Sequence, residues 1–164
     1  MRIIWFLIAL SFAYAASAQS AYEMKGIVLL QPESVVQERI SASALAPYAR
    51  SLNAAAANVF ATQKHRPAGG FLVIAVRPGK QSAVWVDIQP ALPTALEKEL
   101  VAQLRTVAAP DVVAGPVVFA IKASLSGGTA PAQHMPAPRE WSNAAKKART
   151  PLETGELVEL IWPR

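Results

Sequence analysis

The chain predicts an α+β fold, a small and mainly antiparallel sheet with helices packed on one of its faces. Three observations point there. Gly70 to Val76 is a continuous apolar run, Ala83 to Gln89 alternates between apolar and wetter positions, and segments with helical spacing flank the pair. The elements follow one another as β-α-β-β-α-β, with a further helix and a closing strand behind them.

The first residues read as a targeting segment. Met1-Arg2 gives a positive start, Ile3 to Ala16 is apolar or small apart from Ser11, and Ala16-Ser17-Ala18 is a small-x-small cleavage site. This is the three-part pattern of a secretory signal peptide, with cleavage expected after Ala18. The rival reading is an uncleaved membrane anchor, but the apolar run falls short of the ~20 residues that a span requires. Residues 1–18 are therefore read as the signal peptide and residues 19–164 as a single α+β domain. Removing 18 of the 164 residues leaves 146, enough for one modest core. No stable membrane insertion is expected after cleavage.

In the mature chain, Gly26 to Leu30 predicts a short strand ended by Pro32. Helical pattern runs from Glu33 to Lys64, with a first piece over Ser34 to Ala44. Pro47 then marks a kink or the first turn of a second helix. Tyr48, Leu52, Ala55, Ala56, Val59 and Phe60 recur at steps of three and four and form the stripe that faces a sheet.

The core unit spans 69–125. The run from Gly70 to Val76 suits a strand buried on both faces. Arg77-Pro78-Gly79-Lys80 is a turn in which Gly79 takes the positive φ. In the next strand Val84, Val86 and Ile88 share one face, while Trp85, Asp87 and Gln89 share the wetter one. Pro90 and Pro93 end it. Thr94-Ala95-Leu96-Glu97 fits a capping box that opens a helix carrying Leu96, Leu100, Leu104 and Val107 on one side. Val117 to Leu125 predicts the third core strand, with Phe119 and Ile121 pointing inward.

Residues 126–139 hold three prolines and two glycines without periodicity and read as a loop. Residues 140–164 predict a short helix around Trp141 and then a strand from Leu157 to Trp162.

The order β-α-β-β-α-β is of ferredoxin-like type. The core stretch also resembles the C-terminal domain of TonB-type periplasmic energy transducers. The matching residues are Gly70 to Val76, Pro78-Gly79, Ala83 to Ile88, Leu96 to Val107 and Val117 to Leu125. A transducer needs an anchor and a long proline-rich spacer, whereas this N-terminus reads as cleavable and runs directly into the domain. The resemblance therefore implies a periplasmic module of related shape, without the energy-coupling role.

Composition narrows the chemistry. The chain is 52% hydrophobic and 16% charged, below the ~25% charged residues of ordinary domains, and much of the apolar share is alanine. It contains no cysteine, which excludes disulfides, zinc-thiolate sites, thiol nucleophiles and a lipidated N-terminal cysteine. The net charge of +5 is scattered and reads as a solvated surface. Nucleic acid is not an expected partner, because no basic stripe is interleaved with aromatics.

The two histidines, His65 and His134, have no acid at metal-ligand spacing, so no metal site is expected. Neither a phosphate loop nor a nucleophile elbow is present, and no catalytic residue and no cofactor is assigned. Asp87, an acid inside a strand, could serve as a catalytic carboxylate or as a partner for Arg77 or Lys80 across the hairpin, but the favoured reading is the outward residue of an alternating strand. Trp85, Trp141 and Trp162 fit packing better than a sugar-stacking platform.

Arg77, Lys80, Trp85 and Asp87 form the candidate binding surface. The expected function is an exported envelope protein that acts as a non-catalytic interaction module, with another envelope protein or a cell-wall component as partner. The alternatives are a hydrolase-type enzyme whose site is assembled only in the fold, and a structural or stress-related envelope protein. The mature protein is expected to be periplasmic or secreted and to begin at Gln19. N-terminal sequencing checks this, and Met1 retained on a membrane-bound protein would overturn it.

Overall fold

The computed structural model describes residues 20–63, 65–130, 135–148 and 150–163. The expected signal peptide, its cleavage point before Gln19 and His134 lie outside those residues. Four strands, β1 (Tyr22–Leu29), β2 (Ala68–Arg77), β3 (Gln81–Gln89) and β4 (Val117–Leu125), form one sheet in the order β1-β4-β2-β3. Every neighbouring pair is antiparallel. The described helices are α1 (Glu33–Arg39), α2 (Ala42–Ala61), α3 (Thr94–Thr106), α4 (Arg139–Lys147) and α5 (Thr154–Leu160).

β2 and β4 lie at the centre and are buried on both faces, as the unbroken apolar run of β2 requires. Leu72, Ile74, Phe119 and Ile121 point to one face, where they meet Leu52 and Phe60 of α2 and Leu100 and Leu104 of α3. Phe71, Val73, Val118 and Ala120 point to the other, where Trp141 of α4 and Val158 of α5 cover them. The sheet is therefore sandwiched between two helical layers. The expectation of helices on one face is corrected: a central strand apolar on both sides needs cover on both.

Glycines permit the close chain approaches beside β2. A Cβ on Gly70 would meet the main chain of Asp87, and one on Gly128 would meet that of Ala68. The turn between β2 and β3 places Gly79 at φ 85° as its chemistry demands, and Lys80 follows at φ 58°.

The expected closing strand over Leu157 to Trp162 is instead helix α5, followed by Ile161 and Trp162. Its capping box is built from two glutamates: the Glu153 carboxylate accepts from the N–H of Glu156, while Glu156 accepts from the N–H of Glu153. Leu157, Val158 and Ile161, read as alternating strand positions, lie within helical reach of one another and cover the second face of the sheet.

Other boundaries move as well. β1 starts at Tyr22, four residues before the predicted Gly26. α2 begins at Ala42 and carries Pro47 beyond its first turn. Pro93 occupies the N-cap position of α3, which has no side-chain cap bond, so the predicted Thr94–Glu97 capping box does not form. Of the residues expected in the core, Val86 is only half-buried.

Phe119 is fully enclosed, edge-on to Tyr48 at 6.2 Å between ring centroids. Truncation of Phe119 to Ala is expected to cost about 3–5 kcal/mol in chemical denaturation, and a loss below ~1 kcal/mol would contradict this packing.

Candidate functional site

The hairpin residues singled out in the sequence do not assemble into one surface. The β2–β3 register pairs Arg77 with Gln81 and Asp87 with Phe71. Asp87 is thus six rungs, about 20 Å, from the Arg77 end and cannot pair with Arg77 or Lys80. Trp85 is 6% exposed, packed edge-on against Trp141 at 5.6 Å between ring centroids. It faces the helix layer that the sequence reading did not expect, so it is a core residue and offers no stacking surface.

Arg77 and Asp87 both hold chain segments in place. The Arg77 guanidinium sits 4.2 Å from the centre of the Trp162 ring and 3.4 Å from the Glu159 carboxylate, and its Nε donates to Gln81 Oε1 at 2.7 Å. It ties the hairpin tip to the C-terminal segment. Asp87 Oδ2 accepts the Ala137 N–H at 2.7 Å and so fastens the residues before α4 to β3. Lys80 alone of the four stands at an exposed turn.

Concave surfaces occur at two ends of the sheet. One cleft of about 700 Å³ lies between the β1–α1 connection and the start of α5, with Leu30, Gln31, Arg39 and Pro116 on its walls. Two of these side chains complete β4 beyond the last rung of β1. Gln31 Oε1 accepts the Val118 N–H at 2.9 Å, and Arg39 Nη1 donates to the Pro116 carbonyl at 2.6 Å. A second cleft of about 620 Å³ is lined by His65, Arg66 and Pro90 to Pro93.

His65 Nδ1 lies 3.2 Å from the Ser126 hydroxyl, and Ser126 adopts φ 46° at the end of β4. A serine nucleophile would need a base whose second nitrogen is oriented by an acceptor. His65 Nε2 instead is buried without a hydrogen-bond partner among the described residues, and its ring packs edge-on to Phe60 at 5.1 Å. The imidazole thus wedges the loop before β2 against α2. Among the described residues no group of three or more metal-ligating side chains converges, and no helix is long and apolar enough to cross a membrane.

The two sheet edges differ in chemistry. Along β3 the exposed positions are polar, Gln81 and Gln89, and the Asp87 carboxylate accepts the Ala137 N–H. β1 packs on β4 and α2 and has no strand on its outer side among the described residues. It exposes Met24 at 39%, Ile27 at 45% and Leu29 at 37%.

Leu30 N–H bonds to Val118 C=O at 3.1 Å, so by alternation Gly26 and Val28 also turn their main-chain groups to β4. Ile27 and Leu29 turn theirs outward. The register pairs Met24 with Ala123, Ile27 with Ile121 and Leu29 with Phe119, which places all three side chains on the α2–α3 side of the sheet. Outward main-chain groups and exposed apolar side chains thus belong to the same residues. The sequence hid this row, because the register shift between Met24 and Gly26 puts Met24 and Ile27 three residues apart on one face.

No protein-family model matches the chain, and no curated protein or solved structure shows significant similarity to it.

Tyr22 anchors the start of β1. Its ring stacks on Phe60 at 5.5 Å, and burial pushes its hydroxyl up to about 12 from 10.0. Below pH 10 both the folded and the unfolded state hold this proton. Between about pH 10 and 12 only the folded state does, so ionisation favours unfolding and stability falls as the pH rises. Urea titrations across that window are expected to show a steeper loss for the wild type than for Tyr22→Phe, and equal slopes would contradict the enclosed hydroxyl.

Proposed function

We propose that this chain is an exported interaction module that engages its partner by strand addition at the outer edge of β1. The observation that carries the reading is the coincidence at Ile27 and Leu29 of outward main-chain groups with exposed apolar side chains. Main-chain hydrogen bonds supply affinity in strand addition, and alternate side chains supply specificity. Protein edges are ordinarily blunted by charge, and a long apolar edge left open invites pairing. Here Lys25 sits at the register shift and pairs with Glu23 at 2.6 Å, which guards the first half of β1 and leaves the half from Gly26 to Leu29 open.

Export and a periplasmic or secreted location are part of the proposal and rest on the signal pattern of residues 1–18. The likeness to the C-terminal domain of TonB-type transducers, and a ferredoxin-like classification, rest on the succession β-α-β-β-α-β with α1 and α2 counted as one helical segment. In this reading the partner is a protein that presents an extended apolar segment.

Photo-crosslinking in the producing cells tests the reading. A photoreactive residue at Leu29 is expected to yield a discrete adduct that disappears when Ile27→Lys is added, while the same group at Lys80 yields none. An adduct that survives Ile27→Lys, or forms equally from Lys80, or the absence of any adduct, would overturn it.

A further inference from the structure

We infer that the partner at the β1 edge is a second copy of this chain, joined about a two-fold axis that passes beside Ile27. The inference rests on the strand-addition reading above and names its occupant.

The row of exposed side chains is self-complementary. An axis perpendicular to the sheet at Ile27 sets Ile27 against Ile27 of the second copy, Gly26 against its Val28 and, with Lys25 bulged out of the ladder as it is against β4, Met24 against its Leu29. Two facts of this chain make that register coherent. Met24, Ile27 and Leu29 all lie on the α2–α3 side, so each pair meets on one face of the joined sheet. The same three residues also direct their main-chain groups outward, so the Ile27–Ile27 and Met24–Leu29 positions fall at hydrogen-bonded pairs while Gly26–Val28 falls between them. A shift of one residue in either direction breaks both matches, because side chains then meet across opposite faces.

Charge is consistent with this occupant. Glu23 and Lys25 neutralise one another within each copy, so the two-fold brings no unpaired charges of like sign into the row. The contact is nevertheless small. Three partly exposed side chains and one strand's main chain fall short of the ~1,000 Å² that marks a durable interface. The dimer is therefore reversible, forming over tens to hundreds of micromolar on the order-of-magnitude scale of such contacts. The product is a continuous eight-stranded sheet with the two β1 strands at its centre and the helical layers continued from copy to copy.

The test uses the mature chain and its lack of cysteine. In sedimentation velocity from ~5 to ~500 µM the mean mass is expected to climb from monomer towards dimer. Ile27→Lys, which opposes two ammonium groups at the axis, is expected to hold it at monomer with an unchanged melting temperature. Under mild oxidation Ile27→Cys is expected to crosslink to itself, since Cα atoms of a hydrogen-bonded pair are about 5.5 Å apart and within disulfide reach. Leu29→Cys alone should stay single, but mixed with Met24→Cys it should form the heterodisulfide. A monomeric mass at every concentration, association that survives Ile27→Lys, or Leu29→Cys crosslinking as readily as Ile27→Cys would overturn the inference. The photo-crosslink from Leu29 separates the two proposals. An adduct containing only this chain at twice its mass supports the dimer, whereas an Ile27-dependent adduct with a different protein retains strand addition and eliminates the self-pairing.

Discussion

The pairing of β2 with β4 is the constraint on which the rest of the molecule depends. Nine rungs join them, from Ala68–Leu125 to Val76–Val117; β2 is apolar on both faces up to Arg77, and β4 is so apart from Lys122 and Ser124 at its far end. A strand of that kind cannot face water on either side, so helices must cover the sheet twice. α2 and α3 answer the first need with long apolar stripes. The second is met by two short helices, one contributing Trp141 and the other Val158, with Arg77 clamping Trp162 at the margin. Because these helices are only 9 and 7 residues long, their stability comes from packing on the sheet more than from helix propensity.

The same central pairing sends β1 and β3 to the edges, where among the described residues the backbone of one side has no ladder. The two edges are handled differently. β3 carries polar positions, and Asp87 ties the chain before α4 to it. β1 is guarded by a charge and a register shift in its first half, while its second half shows isoleucine and leucine beside outward main-chain groups. That asymmetry is the basis of the docking proposed at β1, since exposed apolar residues are common on protein surfaces and here coincide with outward main-chain groups.

The polar and charged side chains at the ends of elements serve the fold. Arg77 bridges the hairpin to Trp162 and Glu159, Asp87 fastens a loop, Gln31 and Arg39 finish β4, and the His65 ring is wedged against Phe60. Each satisfies main-chain or aromatic groups that the small core leaves at its boundary. In a domain without disulfides such contacts hold the ends of elements that hydrophobic burial alone leaves loose.

By itself the sequence determined the α+β class, the three core strands and the inward faces of α2 and α3. Those follow from local periodicity: Gly70 to Val76, the alternation from Val84 to Ile88, and the spacing of Leu96, Leu100 and Leu104 each specify a burial pattern without reference to distant residues. The absence of cysteine was equally legible. Only the tertiary structure decided the second helical layer, the helical state of Leu157 to Leu160, and the burial of Trp85. A short apolar run satisfies strand and helix periodicity alike, and the choice falls to whichever partner surface it can cover. The β1 edge was hidden for a related reason. Whether a strand is central or terminal depends on the order in which distant strands pair, and the shift at Lys25 breaks the alternation that would have shown Met24, Ile27 and Leu29 as one row.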